Sequence, residues 1–400
     1  MPAIRKLTGA AYGIHFADQI ALVSVPLVAV LVFDASPAAI GALVACQSSA
    51  HLLGSLPFGV LVDQRQLRTL AIASALLSLA GFSLAVLSVI LGALVGLGVA
   101  VTLAGFGVVL FGLTALSIIP RLTSATGLGR ANASIEVPRA VCSFAVPLAV
   151  GLLIDEVPGW ALYAFACGGA LTTLWMAISL PSFKVSPRKE IPVLPRIAEG
   201  GRYVLRHPLL LPISLCSVFW NFAFAALLVV LVPALQGLYL YDPSSFGISL
   251  AAFGFAAICG SWLAGRLANL ITPSVILLFG PGSSIIASFG LIVIGSNTPV
   301  YALYGLFFLL GFGPSMWLVA QNSVRQLVTP PDMLGRVNAV IQTAIYGVRP
   351  VGALVGGVCA TQFGIMAGLQ LVLAAYIASF AASLFSDLRR VSSYGALSPD

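Results

Sequence analysis

The stretch Leu128-Gly-Arg-Ala-Asn-Ala-Ser-Ile-Glu136 returns 206 residues later as Leu334-Gly-Arg-Val-Asn-Ala-Val-Ile-Gln342, with six of nine residues identical. The same offset aligns four further pairs, which are Gly54 with Gly260, Ser55 with Ser261, Gly59 with Gly265, and Asp63 with Asn269. One offset that holds at two distant places predicts two homologous halves in a single chain.

The composition predicts what these halves are made of. Of 400 residues, 60% are apolar and only 8% are charged, whereas a soluble domain carries about 25% charged residues. This excludes a water-soluble enzyme, a nucleic-acid-binding protein and a disordered chain. Runs of about 20 apolar residues are typical of membrane-spanning helices. Breaks at Gly, Pro and charge clusters predict twelve of them, at 9–33, 38–62, 69–91, 96–120, 129–153, 158–180, 208–237, 245–268, 273–296, 299–323, 335–361 and 365–387.

We therefore predict an all-α membrane protein of two pseudo-symmetric six-helix bundles, residues 1–181 and 208–400, joined by a basic linker at 182–207. The chain start, Met1–Lys6 before apolar residues, is similar to a signal peptide. The apolar run continues to Phe33, which is too long for that, so we expect a retained first helix. The six cysteines stand alone in apolar stretches, which favours buried thiols over a disulfide or metal site.

The distribution of charge predicts the orientation. With the N-terminus inside, both termini are cytoplasmic and every basic residue except Arg139 and Arg349 lies on that side, as the positive-inside rule requires. These seventeen residues are Arg5, Lys6, Arg65, Arg68, Arg121, Arg130, Lys184, Arg188, Lys189, Arg196, Arg202, Arg206, Arg266, Arg325, Arg336, Arg389 and Arg390. The charged residues of the outer loops are all acidic: Asp34, Asp155, Glu156 and Asp242. The net charge of +7 thus faces anionic lipid, not nucleic acid.

Three motifs connect the chain to a family. The loop Gly59-Val-Leu-Val-Asp63-Gln-Arg65-Gln-Leu-Arg68 resembles the G-x-x-x-D-R-x-G-R-R loop of the major facilitator superfamily at Gly59, Asp63 and Arg68. It differs at Gln64, Gln66 and Leu67. The stretches 199–208 and 329–339 resemble the enterobactin-exporter and macrolide-efflux subgroup. The resemblance extends over the whole chain and implies a bacterial inner-membrane transporter with alternating access. It also implies that helices 1, 4, 7 and 10 line the path.

The same resemblance implies a role for the loop after helix 2. In the superfamily, its carboxylate docks at the N-terminus of helix 11 in one of the alternating states. Here Asp63 would meet the positive end of that helix at Gly335-Arg336 and pair with Arg336 or Arg68. We therefore predict a conformational latch formed by Gly59, Asp63, Arg68 and Arg336; the alternative is a plain topogenic loop.

The sequence lacks a phosphate-binding GxxxxGK[ST] loop, an HExxH pair and any arrangement for covalent catalysis. We therefore predict a non-enzyme without a cofactor, coupled to an ion gradient or passive. Ionisable residues inside spans are the candidates for coupling, because a charge there costs about 2.5–3.5 kcal/mol on insertion scales.

Asp18 in helix 1 is the predicted proton-coupling acid, since burial would raise the pKa of its carboxyl toward the physiological range. The alternative is a structural acid bonded to a neighbouring helix, for example to Arg139. Glu136, a second coupling candidate, and Arg139 lie three residues apart on helix 5 and can pair, so a structural pair is the alternative role. Arg349, before Pro350 in helix 11, is predicted either to attract an anionic substrate or to bond carbonyls that the proline frees.

Arg139 and Arg349 are candidates for the substrate cavity, together with four further residues. His15 and His51 fall at a depth similar to that of Asp18 and could form a relay or metal cluster, although core histidines bonded to neighbours are the simpler interpretation. Trp220 and Asn221 stand among phenylalanines in helix 7, either on a cavity wall or on a lipid-facing stripe.

These features predict a monomeric, proton-coupled exporter of an amphipathic small molecule such as a siderophore or drug. Its partners would be substrate, protons and membrane lipids, with no metal or nucleic acid. The alternatives are an importer or facilitator of an anionic or metal-bearing solute, and a lipid scramblase.

Overall fold

A computed structural model describes residues 2–123, 128–182, 193–267, 270–330 and 333–397. This part of the chain is helical and contains no strand. The helices are α1 (Pro2–Leu31), α2 (Pro37–Gln64), α3 (Leu67–Ile90), α4 (Leu94–Leu122), α5 (Leu128–Leu153), α6 (Gly159–Ile178), α7 (Val193–Arg206), α8 (Leu210–Ala234), α9 (Ser244–Leu267), α10 (Pro273–Val293), α11 (Val300–Val328), α12 (Leu334–Phe363) and α13 (Ile365–Leu384). All except α7 are long and apolar enough to cross a membrane, which confirms the twelve predicted spans.

The long apolar run around residue 92 is divided by backbone conformation. Helix α3 ends at Ile90 and α4 begins at Leu94. Between them Gly92 has a φ of +66°, in the left-handed region that glycine adopts without steric cost. The Leu91 N–H closes the last turn of α3 on the carbonyl of Leu87 at 2.9 Å. A glycine in this conformation is a common way to end a helix.

The chain forms two compact units, one of residues 1–189 with 242–251 and one of residues 190–241 with 252–400. Within the first unit α1 contacts α5 and α6, and α3 contacts α4 and α6. Within the second unit α8 contacts α12 and α13, and α10 contacts α11 and α13. Equivalent helices thus make equivalent contacts, as two pseudo-symmetric six-helix bundles require.

Helices α1 and α6 cross with their backbones in close contact. A Cβ on Gly169 would lie 2.6 Å from the carbonyl oxygen of Gly13, and a Cβ on Gly13 would lie 2.5 Å from that of Gly169. The Thr173 hydroxyl of α6 also donates to the carbonyl of Ala10 at 3.1 Å. Small residues at such crossings let helix backbones touch, and the pair of glycines therefore fixes α1 in the bundle.

Two basic side chains cap the C-terminal end of α6. Lys6 Nζ donates to the carbonyl of Ser179 at 2.7 Å, and Arg68 Nη2 donates to that of Ile178 at 2.6 Å. Cations stabilise the negative end of a helix dipole. Arg68, predicted from the loop motif to pair with Asp63, is thus engaged with α6 in this structure.

Helix α7 was not predicted and lies in the linker before α8. Its Gly200 lies against α12, where a Cβ would be 2.9 Å from the backbone of Arg336. Val204 is 2% exposed and packs in a small core with Leu210, Val337 and Ile341. Apolar residues at helical spacing on an otherwise polar helix allow it to bury a single face.

His207 joins α7 to α8. Its ring Nδ1 accepts the N–H groups of Leu209 at 3.1 Å and Leu210 at 3.3 Å, which are unsatisfied donors at the start of a helix. Burial lowers the pKa of the His207 imidazole below its usual value, and a protonated Nδ1 could not accept either bond.

We expect acid to remove this cap. Since the folded-state pKa of His207 is lowered, its contribution is complete above the unfolded-state pKa near 6.5 and is lost as the pH falls below it. A cap of this kind contributes about 1 kcal/mol. The measurement is the thermal midpoint in detergent at pH 7.5 and at pH 5.5. Over this change of pH, the midpoint of wild type should fall by about 2–4 °C more than that of His207→Asn. The Asn side chain keeps an acceptor that does not titrate. The same dependence of the midpoint on pH in both proteins would therefore refute the role of His207 as a cap.

Candidate functional site

Helix α1 has one face that other helices do not cover. It contacts α2, α4, α5 and α6, and most of its side chains are buried. The side chains that are not fully buried on its central turns include Tyr12 and Phe16, which are exposed, and His15 and Gln19, which are half-buried. These four lie at helical spacing on one side. An aromatic and polar face on a central membrane helix is typical of a cavity wall.

Asp18 is half-buried near the middle of the span Ala3–Leu31. At a rise of 1.5 Å per residue it lies about 22 Å along this helix from Ala3. The Cys142 thiol of α5 lies within electrostatic range of its carboxylate and donates to the Tyr12 carbonyl at 3.9 Å. An acid at this depth lies among protein groups of a second helix and not in lipid, as intramembrane charges require.

Glu136 and Arg139 form an ion pair on α5. Arg139 Nη2 lies 2.5 Å from Glu136 Oε2, and Arg139 Nε donates to the same oxygen at 2.8 Å. The Glu136 side chain is 57% exposed and the Arg139 side chain is 62% exposed, although both residues belong to the membrane span Ser134–Leu153. Charges that protein does not cover at this depth face water and not hydrocarbon. We therefore expect this face of α5 to line a hydrated space.

His15 connects this ion pair with α1, since its imidazole lies within electrostatic range of both Arg139 and Glu136. The residues His15, Asp18, Glu136, Arg139 and Cys142 thus form one group across two helices, here called the α1/α5 polar cluster. It contains an acid, an imidazole and an ion pair, which are groups that can bind and pass on a proton.

His51 lies half-buried on α2. In the part of the chain that the structure describes, no group of three or more His, Cys, Asp or Glu side chains is arranged to hold a metal ion. Fewer than three protein ligands do not make a tight transition-metal site.

In the second unit, Trp220 is held by its neighbours in the bundle. Its indole Nε1 donates to the Ser284 hydroxyl at 3.0 Å. Its ring stacks on Phe224, with centroids 5.1 Å apart, and lies 6.1 Å from that of Tyr376. Phe253 stacks on Phe224 at 5.0 Å. The indole thus faces α9, α10 and α13, which makes it a rigid element of this unit.

Asn221 and Arg349 are half-buried on α8 and α12. The Asn221 side chain donates from Nδ2 to the carbonyl of Ser217 one turn earlier at 2.9 Å, which leaves its Oδ1 available. Near Arg349, Gly352 lies against the backbone of Phe222. The glycine therefore brings the segment with Arg349 close to the segment with Asn221.

The residues predicted to form the latch have other partners where the structure describes them. Arg336 Nη1 lies 2.5 Å from Glu199 Oε2 of α7, and Arg68 caps α6. Gly59 has open space where a Cβ would be. The side chain of Asp63 lies outside the described part of the chain.

Sequence reasoning missed Glu199 and Cys142. Glu199 lies 137 residues from its partner, so no local spacing connects them. Cys142 is three residues beyond Arg139 on the same face of α5, and this helical spacing was the one signal for it.

Comparison with known proteins gives the following matches. A sequence model described as Major Facilitator Superfamily matches residues 7–353. The enterobactin exporter EntS of Escherichia coli O1:K1 / APEC is 29% identical over 235 residues, which is 57% of this chain and 54% of that protein. The enterobactin exporter EntS of Escherichia coli O81 (strain ED1a) is 30% identical over the same shares. The match therefore spans about half the length of these curated relatives.

Solved structures match the whole fold. A nucleoside transporter, NupG, superposes with a TM-score of 0.76 at 12% identity, covering 99% of both chains. A D-xylose-proton symporter gives 0.72 at 15% identity, again over 99% of both. Identities this low show a shared fold and say nothing of a shared substrate.

Proposed function

The chain belongs to the Major Facilitator Superfamily, and on that premise we propose that it exports an amphipathic small molecule, of the siderophore or drug class, in exchange for protons. It is a multi-pass membrane transporter and not an enzyme. The match to enterobactin exporters supports export and this substrate class. We further propose the bacterial inner membrane, with both termini cytoplasmic, because seventeen basic residues fall on one side.

The observation that carries the proposal is the α1/α5 polar cluster. Asp18 supplies a carboxyl group at the middle of a span, one helical turn from the imidazole of His15, and the ion pair on α5 is not covered by protein. Proton antiport needs a group that takes up a proton on one side and releases it on the other. We propose that Asp18 does this and that Glu136 is the second acid, which competes with it for Arg139.

We propose that each unit contributes side chains that contact the substrate. We propose His15, His51, Asn221 and Arg349 as polar contacts, with Trp220 as a fixed aromatic surface. A mostly apolar cavity with a few polar groups is typical of sites for amphipathic ligands.

The experiment is transport by the full-length protein in proteoliposomes. An imposed pH gradient should drive flux of one compound from a panel of siderophores and macrolides, and collapsing the gradient should stop it. A panel member that moves equally with and without a gradient would overturn proton coupling and favour a facilitator. Flux of metal ions alone would favour the metal-bearing solute, and movement of labelled lipid alone would favour a scramblase.

We also propose that Asp63 acts as the conformational latch at the N-terminal end of α12, with Gly59 giving room for the loop. In this structure Arg336 and Arg68 are bonded to Glu199 and to α6, respectively. The latched state would therefore require one of these arginines to change partner. Labelling of an engineered cysteine on α1 should become faster or slower in Asp63→Ala, and an unchanged labelling rate would refute the latch.

A further inference from the structure

Helix α7 presents one face to the protein and the opposite face to its surroundings. Its inner face is fixed by Gly200 against α12 and by the buried Val204. The Tyr203 hydroxyl adds a bond to the carbonyl of Val328 at 2.8 Å, and Glu199 adds the ion pair with Arg336. Contacts to both α11 and α12 hold the helix at one rotation, so its outer face has a fixed direction.

The outer face carries two arginines and a leucine. Arg202, Leu205 and Arg206 are all exposed, and Leu205 is 67% exposed. Their spacing of three and four residues places them side by side. Among the described residues neither guanidinium has a hydrogen bond or ion pair. The neighbouring carboxylate of Glu199 is already bonded to Arg336, and the remaining titratable neighbour, His207, is turned to the N-terminus of α8.

The short connection from α7 to the next membrane span limits how far this face can lie from the bilayer. Arg206 precedes the membrane span that begins at Leu210 by four residues, which reach at most about 14 Å when extended. The headgroup layer on each side of the hydrocarbon is about 5–8 Å thick. The two guanidinium groups are therefore within reach of lipid phosphates, and an exposed leucine beside them is the pattern of an interfacial helix.

We propose that the outer face of α7 is a binding site for the headgroup of an anionic phospholipid, such as phosphatidylglycerol. Arg202 and Arg206 bind the phosphate with charge-assisted hydrogen bonds, and Leu205 enters the boundary of the acyl chains. The site requires only that the chain spans a membrane. It does not rest on the proposed substrate or on proton coupling, and its leaflet is the basic, predicted cytoplasmic side.

The test is lipid binding to the full-length protein in detergent, where no gradient or orientation enters. Binding of fluorescent phosphatidylglycerol is compared with that of the same probe on phosphatidylcholine. Each basic side chain near an anionic headgroup strengthens binding. The double variant Arg202→Gln/Arg206→Gln should therefore bind phosphatidylglycerol about tenfold to thirtyfold more weakly. Binding of phosphatidylcholine should not change, and Arg202→Lys/Arg206→Lys should keep most of the affinity.

The matched control is Arg389→Gln/Arg390→Gln, which removes two exposed arginines after α13 and should leave the affinity within about twofold. An equal loss in this control, or no loss in the α7 variant, would overturn the site. Displacement of the lipid by millimolar inorganic phosphate would overturn lipid recognition and leave a simple anion site. An unchanged thermal midpoint of the α7 variant verifies that the fold is intact.

Discussion

Asp18→Asn should abolish the response of transport to a pH gradient. Asn keeps the size and one acceptor of the side chain but cannot carry a proton in exchange for substrate. We expect the gradient-driven component of flux to fall at least about a hundredfold, which is the lower end of the range that general acid–base groups contribute. Exchange of substrate in the absence of a gradient should persist. The measurement is flux in proteoliposomes with and without the gradient.

Asp34→Asn is the matched control, because it changes the other acid of this segment, located just beyond the end of α1. It should leave gradient-driven flux unchanged. If Asp18→Asn keeps full gradient-driven flux, Asp18 is a structural acid and Glu136 becomes the coupling candidate. If both driven flux and passive exchange disappear, with an intact thermal midpoint, Asp18 binds substrate and not a coupling proton.

Gly169→Ala should destabilise the first unit, although it adds a single methyl group. The new Cβ would lie 2.6 Å from the Gly13 carbonyl oxygen and 3.0 Å from Cδ1 of Phe16. Neither helix backbone can yield locally, so α1 and α6 must separate. Overpacking of this kind costs about 1–3 kcal/mol, which corresponds to about 2–12 °C in the thermal midpoint for a unit of this size.

The adjacent Gly168 supplies the control for Gly169. A Cβ there meets nothing within 4 Å, so Gly168→Ala should be neutral or stabilising by up to about 1 kcal/mol through helix propensity. Thermal unfolding of both variants in detergent compares one added methyl group at two neighbouring positions of α6. Position 169 faces α1, and position 168 faces away from it. Equal midpoints for the two variants would show that the crossing of α1 and α6 is not tight in solution.

The helix count and the two bundles follow from features that a sequence displays directly. A span must be apolar along its whole length, and the break near residue 92 needed only a glycine that can adopt a positive φ. Helix α7 gave a mixed signal, because its apolar residues recur at helical spacing but Gly200-Gly201 lowers helix propensity by about 1 kcal/mol per glycine. Its stability comes from packing of Gly200 and Val204 on α12, which no local pattern records.

The candidate site was predictable to a similar extent. Intramembrane charges are costly, so Asp18, Glu136 and Arg139 stand out in an apolar chain, and the three-residue spacing of the last two anticipates the ion pair that forms. Partner choice over long distances was not predictable. Arg336 was expected to meet Asp63, but in this structure it bonds Glu199 because α7 packs along α12. Trp220 stood out by composition, whereas its bond to Ser284 depends on how α8 meets α10.

The docking of α7 has a consequence for how the chain is made. Glu199 and Arg336 are separated by 137 residues, so α7 leaves the ribosome long before its partner on α12 exists. At about 5–20 residues per second, that delay lasts about 7–27 s. During this time the apolar side of α7 has no protein to cover it, and the nearest apolar medium is the bilayer into which α8 is inserting. The helix therefore acquires its final neighbours only after α11 and α12 have been made.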